Sequence, residues 1–421
     1  MNTTASVPLI MSSVDHGATV PSRVRVPIVA IAALTAACSA DVPGAPSFAV
    51  SDSAGVEVVT TSTPAWGEGE SPWRLTLETE IGEVEGEEVY LFGDPVSALR
   101  LADGRIVVAD QQSADLRFYG SDGTFAARSG SRGEGPGEFQ SFSWIARCGE
   151  GLLVHDRRLR RATAIDASGE VGDPFIVETP EARPPYRLRC LPDGSFLAVG
   201  WGEQPQIPDG EDYLFFAQTA DLWRFFSDSD SIITIGTYIS SERLAHINRT
   251  TGGGGSFPHP FGRSVVFGGN GTRILIGGAE RLQIEVRSLE GELIRILRGP
   301  DSELLIDDRL LSAYRDATLI RVDSLTREDL ADAGYPMPER YPAYTELLVD
   351  PSGFVWVERF LLPWEEERRW GVFSPEGTFL GHVHVPAALR VTDVTEDHLV
   401  GIIRDELDVP RIQVYRLDRA D

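Results

Sequence analysis

From residue 73 onward, apolar and polar positions alternate in short runs broken by glycine and small polar residues. The clearest stretch reads Ser97-Ala-Leu-Arg-Leu-Ala-Asp-Gly104, then Arg-Ile-Val-Val-Ala-Asp110, then Asp115-Leu-Arg-Phe-Tyr-Gly-Ser-Asp-Gly123, then Thr-Phe-Ala-Ala. Leu99/Leu101 and Leu116/Phe118 repeat with period two, the mark of half-buried strands. Asp-Gly pairs suit tight hairpins, because such turns need positive φ. The unit is therefore a four-stranded antiparallel meander of about 40 residues.

The unit recurs. First-hairpin patterns follow at Trp144–Gly151, Tyr186–Gly194, Ser264–Gly271, Tyr344–Gly353 and Arg390–Asp397. The last unit ends after its third strand, and the alternating segment Trp73-Arg-Leu-Thr-Leu-Glu-Thr79 precedes the first. That early segment can supply the missing strand and leave no free sheet edge. The pattern predicts an all-β fold, a six-bladed β-propeller of four-stranded antiparallel blades. Its ring is closed by the N-terminal strand over 73–421. Two long gaps predict insertions at about 201–260 and 300–343. Leu304, Leu305, Leu310, Leu311, Ala313 and Tyr314 recur near helical spacing behind Pro300-Asp301-Ser302, which predicts a small helical insertion, with a second short helix over Ser324–Ala333. Gly252–Gly255 reads as a flexible loop.

These units resemble the six-bladed propellers of the NHL-repeat kind, especially exported bacterial ones. The most specific piece is Gly130-Ser-Arg-Gly-Glu-Gly-Pro-Gly-Glu-Phe139, similar to glycine-rich linkers between blades of that group. The resemblance spans roughly residues 73–416 and implies a fold; propellers host many unrelated activities. The linker lacks the helix-opening context and Lys-Ser/Thr ending of a phosphate loop, so a blade-to-blade crossover is the reading.

Ahead of the repeats lies an export pattern. Arg23-Val-Arg25 precedes the uncharged run Pro27–Ala37, about 16 Å as a helix and half of a bilayer core. The run ends Leu34-Thr35-Ala36-Ala37-Cys38, which resembles the bacterial lipoprotein cleavage box, with Thr35 where leucine is more usual. The resemblance implies a signal peptide over 1–37, lipidation at Cys38 and a flexible tether over 38–72. Ser39, rather than aspartate, after the cysteine implies outer-membrane anchoring, with the domain facing periplasm or exterior. The alternative is an ordinary signal peptide with a chance cysteine.

Composition then narrows the chemistry. All 38 basic residues are arginine, which removes Schiff-base, lysine-nucleophile and phosphate-loop lysine chemistry. A formal charge of −26 disfavours nucleic acid as a partner. No Gly-x-Ser-x-Gly elbow is present. Calcium-dependent lactonase propellers carry Glu, Asn and Asp at the inner channel, and the three asparagines here, Asn2, Asn248 and Asn270, do not supply that set.

Several residues remain as candidates. Arg100, Arg147 and Arg189 each close a first strand, so they are expected in a ring at the channel mouth, able to bind an anion or to pair with carboxylates between blades. Cys148 and Cys190 follow at neighbouring positions. Export would permit a disulfide, although sixfold neighbours are expected about 8 Å apart, just beyond disulfide reach. Asp103, Asp122 and Asp193 are read as turn residues. His382-Val-His384 puts two imidazoles on one strand face with no evident third ligand, and no metal or other cofactor is expected. Trp201, Tyr213, Trp223, Phe257 and Trp364 are candidate ligand contacts on the insertions, against packing between blades. The reading is a monomeric, membrane-anchored binding scaffold for a protein, peptide or glycan; the alternative is a metal-assisted hydrolase or lyase using the axial channel.

Overall fold

In a computed structural model of the chain, the described residues are 48–420, apart from 68, 70, 178–179, 181–184, 192, 203–204, 208–212, 227–230, 249–252, 260, 270 and 318–337. Cys38, the export segment and the segment Ser324–Ala333 lie outside them.

Six mostly antiparallel sheets follow one another along the chain. The first comprises Pro95–Arg100, Ile106–Asp110, Asp115–Tyr119 and Phe125–Ser129. The second runs Phe142–Cys148, Gly151–Asp156, Arg161–Ile165 and Val171–Ile176. The third is Pro185–Cys190, Ser195–Trp201, Tyr213–Phe226, Ile232–Asn248 and Gly253–Pro258. The fourth is Val266–Gly269, Ile274–Gly277, Gln283–Arg287 and Leu293–Arg298, extended by Val56–Thr61 and Phe48–Ser53. The fifth is Tyr344–Val349, Val355–Arg359, Glu367–Phe373 and Phe379–Pro386. The sixth, Arg390–Val394, His398–Arg404 and Pro410–Asp418, takes its fourth strand from Arg74–Ile81, which pairs antiparallel with Pro410–Asp418. The alternation at 73–79 is thus used by the last sheet.

The second strands are buried along their whole length in the first two sheets. A strand covered on both faces must be apolar throughout, as Ile-Val-Val-Ala and Gly-Leu-Leu-Val are. The cores lie between sheets. Leu99, Val107 and Phe118 of the first meet Ile145, Leu152 and Val154 of the second. Equivalent clusters join second to third, third to fourth, fourth to fifth and fifth to sixth. One further cluster joins Ile81, Val400 and Ile412 of the sixth to Ala98, Ile106 and Tyr119 of the first. Trp356 and Trp370 are wholly buried, and truncating either to alanine would cost about 3–5 kcal/mol. The Asp-Gly turns behave as read: Gly104 takes φ 91 and donates its N–H to the Leu101 carbonyl.

Three expectations need correction. Residues 48–61, expected as tether, form two strands, because Val58 and Val59 are buried where Val56–Thr61 pairs in parallel with Leu293–Arg298. The loop expected at Gly252–Gly255, within the insertion at about 201–260, is not a loop where it is described. The insertion is mostly sheet among its described residues, the third and fourth strands of the third sheet overrunning the second, and Gly253–Gly255 begins an added strand. The third and fourth sheets therefore exceed four strands. At 300–343 the helix is α1 (Asp308–Ala317), starting later than Pro300 because Asp307 accepts the Leu310 N–H at 2.8 Å.

Buried aspartates tie the chain between sheets. Asp156, wholly buried at the end of a second strand, accepts N–H groups from Gln140 and Ser141 before its sheet and from Arg158 and Leu159 in the turn that follows its own strand. Asp110 does the same with Gly93, Asp94 and Gln112. The linker Gly130–Phe139 is a crossover: Ser131–Arg132 pairs with Glu138–Phe139, and Arg161 donates to the carbonyls of Glu134, Gly135 and Glu138.

Candidate functional site

The first strands of four sheets carry a register shift near their start, after Pro95, Phe142, Pro185 and Tyr344. Counting from the residue after each shift puts Arg100, Arg147 and Cys190 fourth, and Leu99, Ala146 and Arg189 third. Cys148 is fifth, with Leu101 and Leu191. Side chains alternate sides of a strand, so this one-place offset decides where each group points. Arg189 therefore shares a side with Arg187 and Leu191, both of which meet the fourth sheet, at Phe267 and Gly269. Cys148 and Cys190 occupy opposite parities and so face one another, with Cα atoms 5.2 Å apart and sulfurs bonded. The expectation of one shared ring position missed this, because Arg189-Cys190 lies one place nearer the register shift than Arg100-Leu101 and Arg147-Cys148 do.

Where the first strands meet lies a cavity of about 690 Å³, lined by residues of all six, among them Leu99, Arg147, Arg189, Gly269, Glu346 and Asp393. Its size suits a small organic molecule. Four guanidiniums line it, of Arg147, Arg187, Arg189 and Arg390, against the carboxylates of Glu346, Asp350 and Asp393.

Most of these charges are engaged. Arg147 donates to the Arg100 carbonyl at 2.7 Å and to Asp393, whose carboxylate also accepts the Arg100 N–H at 2.9 Å. Arg390 donates to the carbonyls of Val96 and Pro95. Arg187 lies over Phe267 and 3.7 Å from Glu346. Asp350 accepts from the Phe354 N–H, the Trp356 indole and Arg419. Arg189 differs: its Nε is buried without a hydrogen-bond partner, and no ion pair reaches it among the described residues. Some of its surface stays open to the cavity, yet protein crowds it, and the loss of water lowers its pKa to about 10. Arg187 nearby lowers it further, opposed by Glu346 and Asp393. At neutral pH it remains a cation.

The other candidates separate from this cavity. Arg100 turns its side chain to Asp397, 3.7 Å away, and is not among the lining residues. Arg187 and Arg390 line the cavity and were not singled out; Tyr186-Arg-Leu-Arg, with two arginines at period two, held the signal for Arg187. Trp223 is buried core between the second and third sheets. Trp201, 38 % exposed, stacks on Tyr186 with ring centroids 4.1 Å apart and lies beneath Arg243. Phe257 is part-buried on Gly253–Pro258, and Trp364 carries Arg309 over its ring at 4.3 Å. The Tyr213 side chain lies outside the described residues. Asp103, Asp122 and Asp193 each accept a backbone N–H two residues ahead, at Arg105, Thr124 and Ser195, which is a turn role.

His382 sits against Arg359, and burial followed by that charge lowers its pKa to about 3, keeping it neutral. His384 bonds Glu367 at 3.0 Å. Among the described residues no group of three His, Cys, Asp or Glu is arranged to hold a metal. No helix among them is long and apolar enough to cross a membrane.

No protein-family model matches the chain, and no curated protein does. Solved structures do. A member of the DUF4221 family from Bacteroides vulgatus is similar at 12% identity over 84% of this chain and 100% of its own, with a TM-score of 0.50. A Bacteroides fragilis protein assigned to export is similar at 12% identity over 86% of this chain and 99% of its own, TM-score 0.47. Virginiamycin B lyase from Staphylococcus aureus is similar at 10% identity over 82% of this chain and 100% of its own, TM-score 0.40. At such identities the likeness concerns the all-β fold alone.

Proposed function

We propose that this chain is an exported, lipid-anchored six-bladed propeller, closed by its N-terminal strand, whose axial cavity binds a small-molecule ligand. The ring is supported by the inter-sheet cores, the last of which joins the sixth sheet to the first. The observation that carries the function is the cavity of about 690 Å³ to which all six first strands contribute. Backbone at the centre of such a disc is held by every sheet at once, so groups there are pre-organised. A protein, peptide or glycan docked on the insertions has less behind it, since Trp223 is core and Trp201 is stacked within its own sheet.

A second reading puts hydrolase or lyase chemistry in the same cavity. Glu346 favours it: its carboxylate holds one backbone N–H and a long contact to Arg187, which leaves it able to act as a base beside guanidiniums. Metal assistance would need ligands from beyond the described residues.

Crystallographic soaking with a library of small organic fragments tests the site. Hits gathered in the axial cavity support the reading, and an empty cavity with hits only on the outer surface overturns it. Turnover of ester and lactone probes, lost in Glu346→Gln, would favour the enzyme over the binding protein. For the anchor, Cys38→Ser is expected to release the protein from the membrane fraction of expressing cells; unchanged membrane association removes the lipid anchor.

A further inference from the structure

Resting on the cavity as the binding site, we propose that its ligand is a small organic anion, held through a carboxylate or phosphate group by the guanidinium of Arg189. The argument begins with what Arg189 lacks. A cation in such surroundings normally keeps a carboxylate or several carbonyls as partners, because water has been withdrawn. Arg147 and Arg390 obey this with the Arg100 carbonyl, Asp393 and the carbonyls of Val96 and Pro95. Arg224, buried in the third sheet, also obeys it, with Asp193 and the Ser195 hydroxyl. Arg189 has neither, in a chain with 64 acidic residues from which a partner could have been drawn.

The surroundings leave room for an anion there. Arg189 lies on the side of its strand that meets the fourth sheet, between Arg187 and Leu191. On the facing strand Gly269, beside Leu191, brings no side chain to that side, Gly268 faces Leu347 and Val349 of the fifth sheet, and the open volume beside Arg189 is the cavity itself. Arg187 stands two residues away on the same side, paired with Glu346 only at 3.7 Å. An incoming carboxylate or phosphate would complete the hydrogen bonding of Arg189 in the forked geometry that guanidinium favours. Asp393 is already taken by Arg147 and the Arg100 N–H, and Asp350 by Arg419, Trp356 and Phe354, so Glu346 is the carboxylate an anion must approach.

The test is isothermal titration calorimetry on the full chain with succinate, citrate and inorganic phosphate, and with succinamide as an uncharged counterpart. Arg189→Gln and Arg189→Lys are run beside the parent, with thermal melts of all three. The proposal expects saturable binding of at least one anion, weakened at least about tenfold in Arg189→Gln and partly kept in Arg189→Lys. It also expects the ligand-free melting temperature to hold or rise in Arg189→Gln, because an unpartnered buried charge is removed. A structural arginine would instead lower it. Binding that is equal in parent and Arg189→Gln overturns the proposal, as does absence of binding by all three anions. Succinamide bound without succinate overturns the anion while leaving the cavity as the site. Binding of phosphate but neither organic acid would point to a phosphate-bearing ligand, and the reverse to a carboxylate.

Discussion

Two regions of this molecule bury charge in opposite ways. At the seam between the first and second sheets, Asp156 is wholly buried and accepts four backbone N–H groups, two from the segment that enters its sheet and two from the turn after its own strand. At the cavity where the first strands meet, Arg189 is crowded by protein and has no partner for its Nε. Both are charges drawn from water, which costs several kcal/mol per ion unless it is compensated. The seam compensates within the chain and so belongs to the fold. The cavity leaves the compensation open, as a site built for something outside the chain would.

The contrast can be pressed hardest at the seam. Asp156→Ala strands several buried N–H groups at once and is expected to lower unfolding free energy by about 3–5 kcal/mol, measured by urea denaturation. A loss under 1 kcal/mol would dissolve the distinction. Beside it, His155 is buried and its pKa is pushed down to about 4 by desolvation, with Asp156 opposing. Its unfolded value is near 6.5. Above 6.5 both states are neutral and the stability is fully present. As pH falls from about 6.5 to about 4 the unfolded chain gains a proton that the folded chain refuses, so stability is lost, by roughly 3 kcal/mol at most for this group. His259, lowered to about 4 by burial, acts in the same direction. Urea midpoints at pH 8 and pH 5 measure the slope, and His155→Phe should flatten it. The smallest effect is expected at the cavity rim. Arg147→Gln removes a partner from Asp393, but Arg147 is about a third exposed and the Arg100 N–H remains, so about 1–2 kcal/mol is expected from the same denaturation assay. A cost equal to that of Asp156→Ala would mean that the cavity is held as tightly as the seam.

Much of this architecture was legible in the chain. Period-two alternation and Asp-Gly turns depend on backbone geometry within a few residues, so the six first hairpins and the late use of the segment after Trp73 could be read directly. The third sheet was legible in principle as well: Tyr213–Phe226 is rich in aromatic and aliphatic residues, but without a turn signal its length looked like an insertion. The strands at 48–61 were hidden because a parallel pairing with Leu293–Arg298 leaves no local mark.

The chain by itself determined which groups exist: arginine as its only abundant cation, two cysteines within the repeats, and Gly268-Gly269 at the end of a first strand. Tertiary structure alone decided where they point. In the third sheet the arginine stands one place nearer the register shift than in the first two, and a single place reverses the side of a strand. That step turns Cys190 to face Cys148 and leaves Arg189 on the opposite side of its strand, at the cavity and with no partner for its Nε.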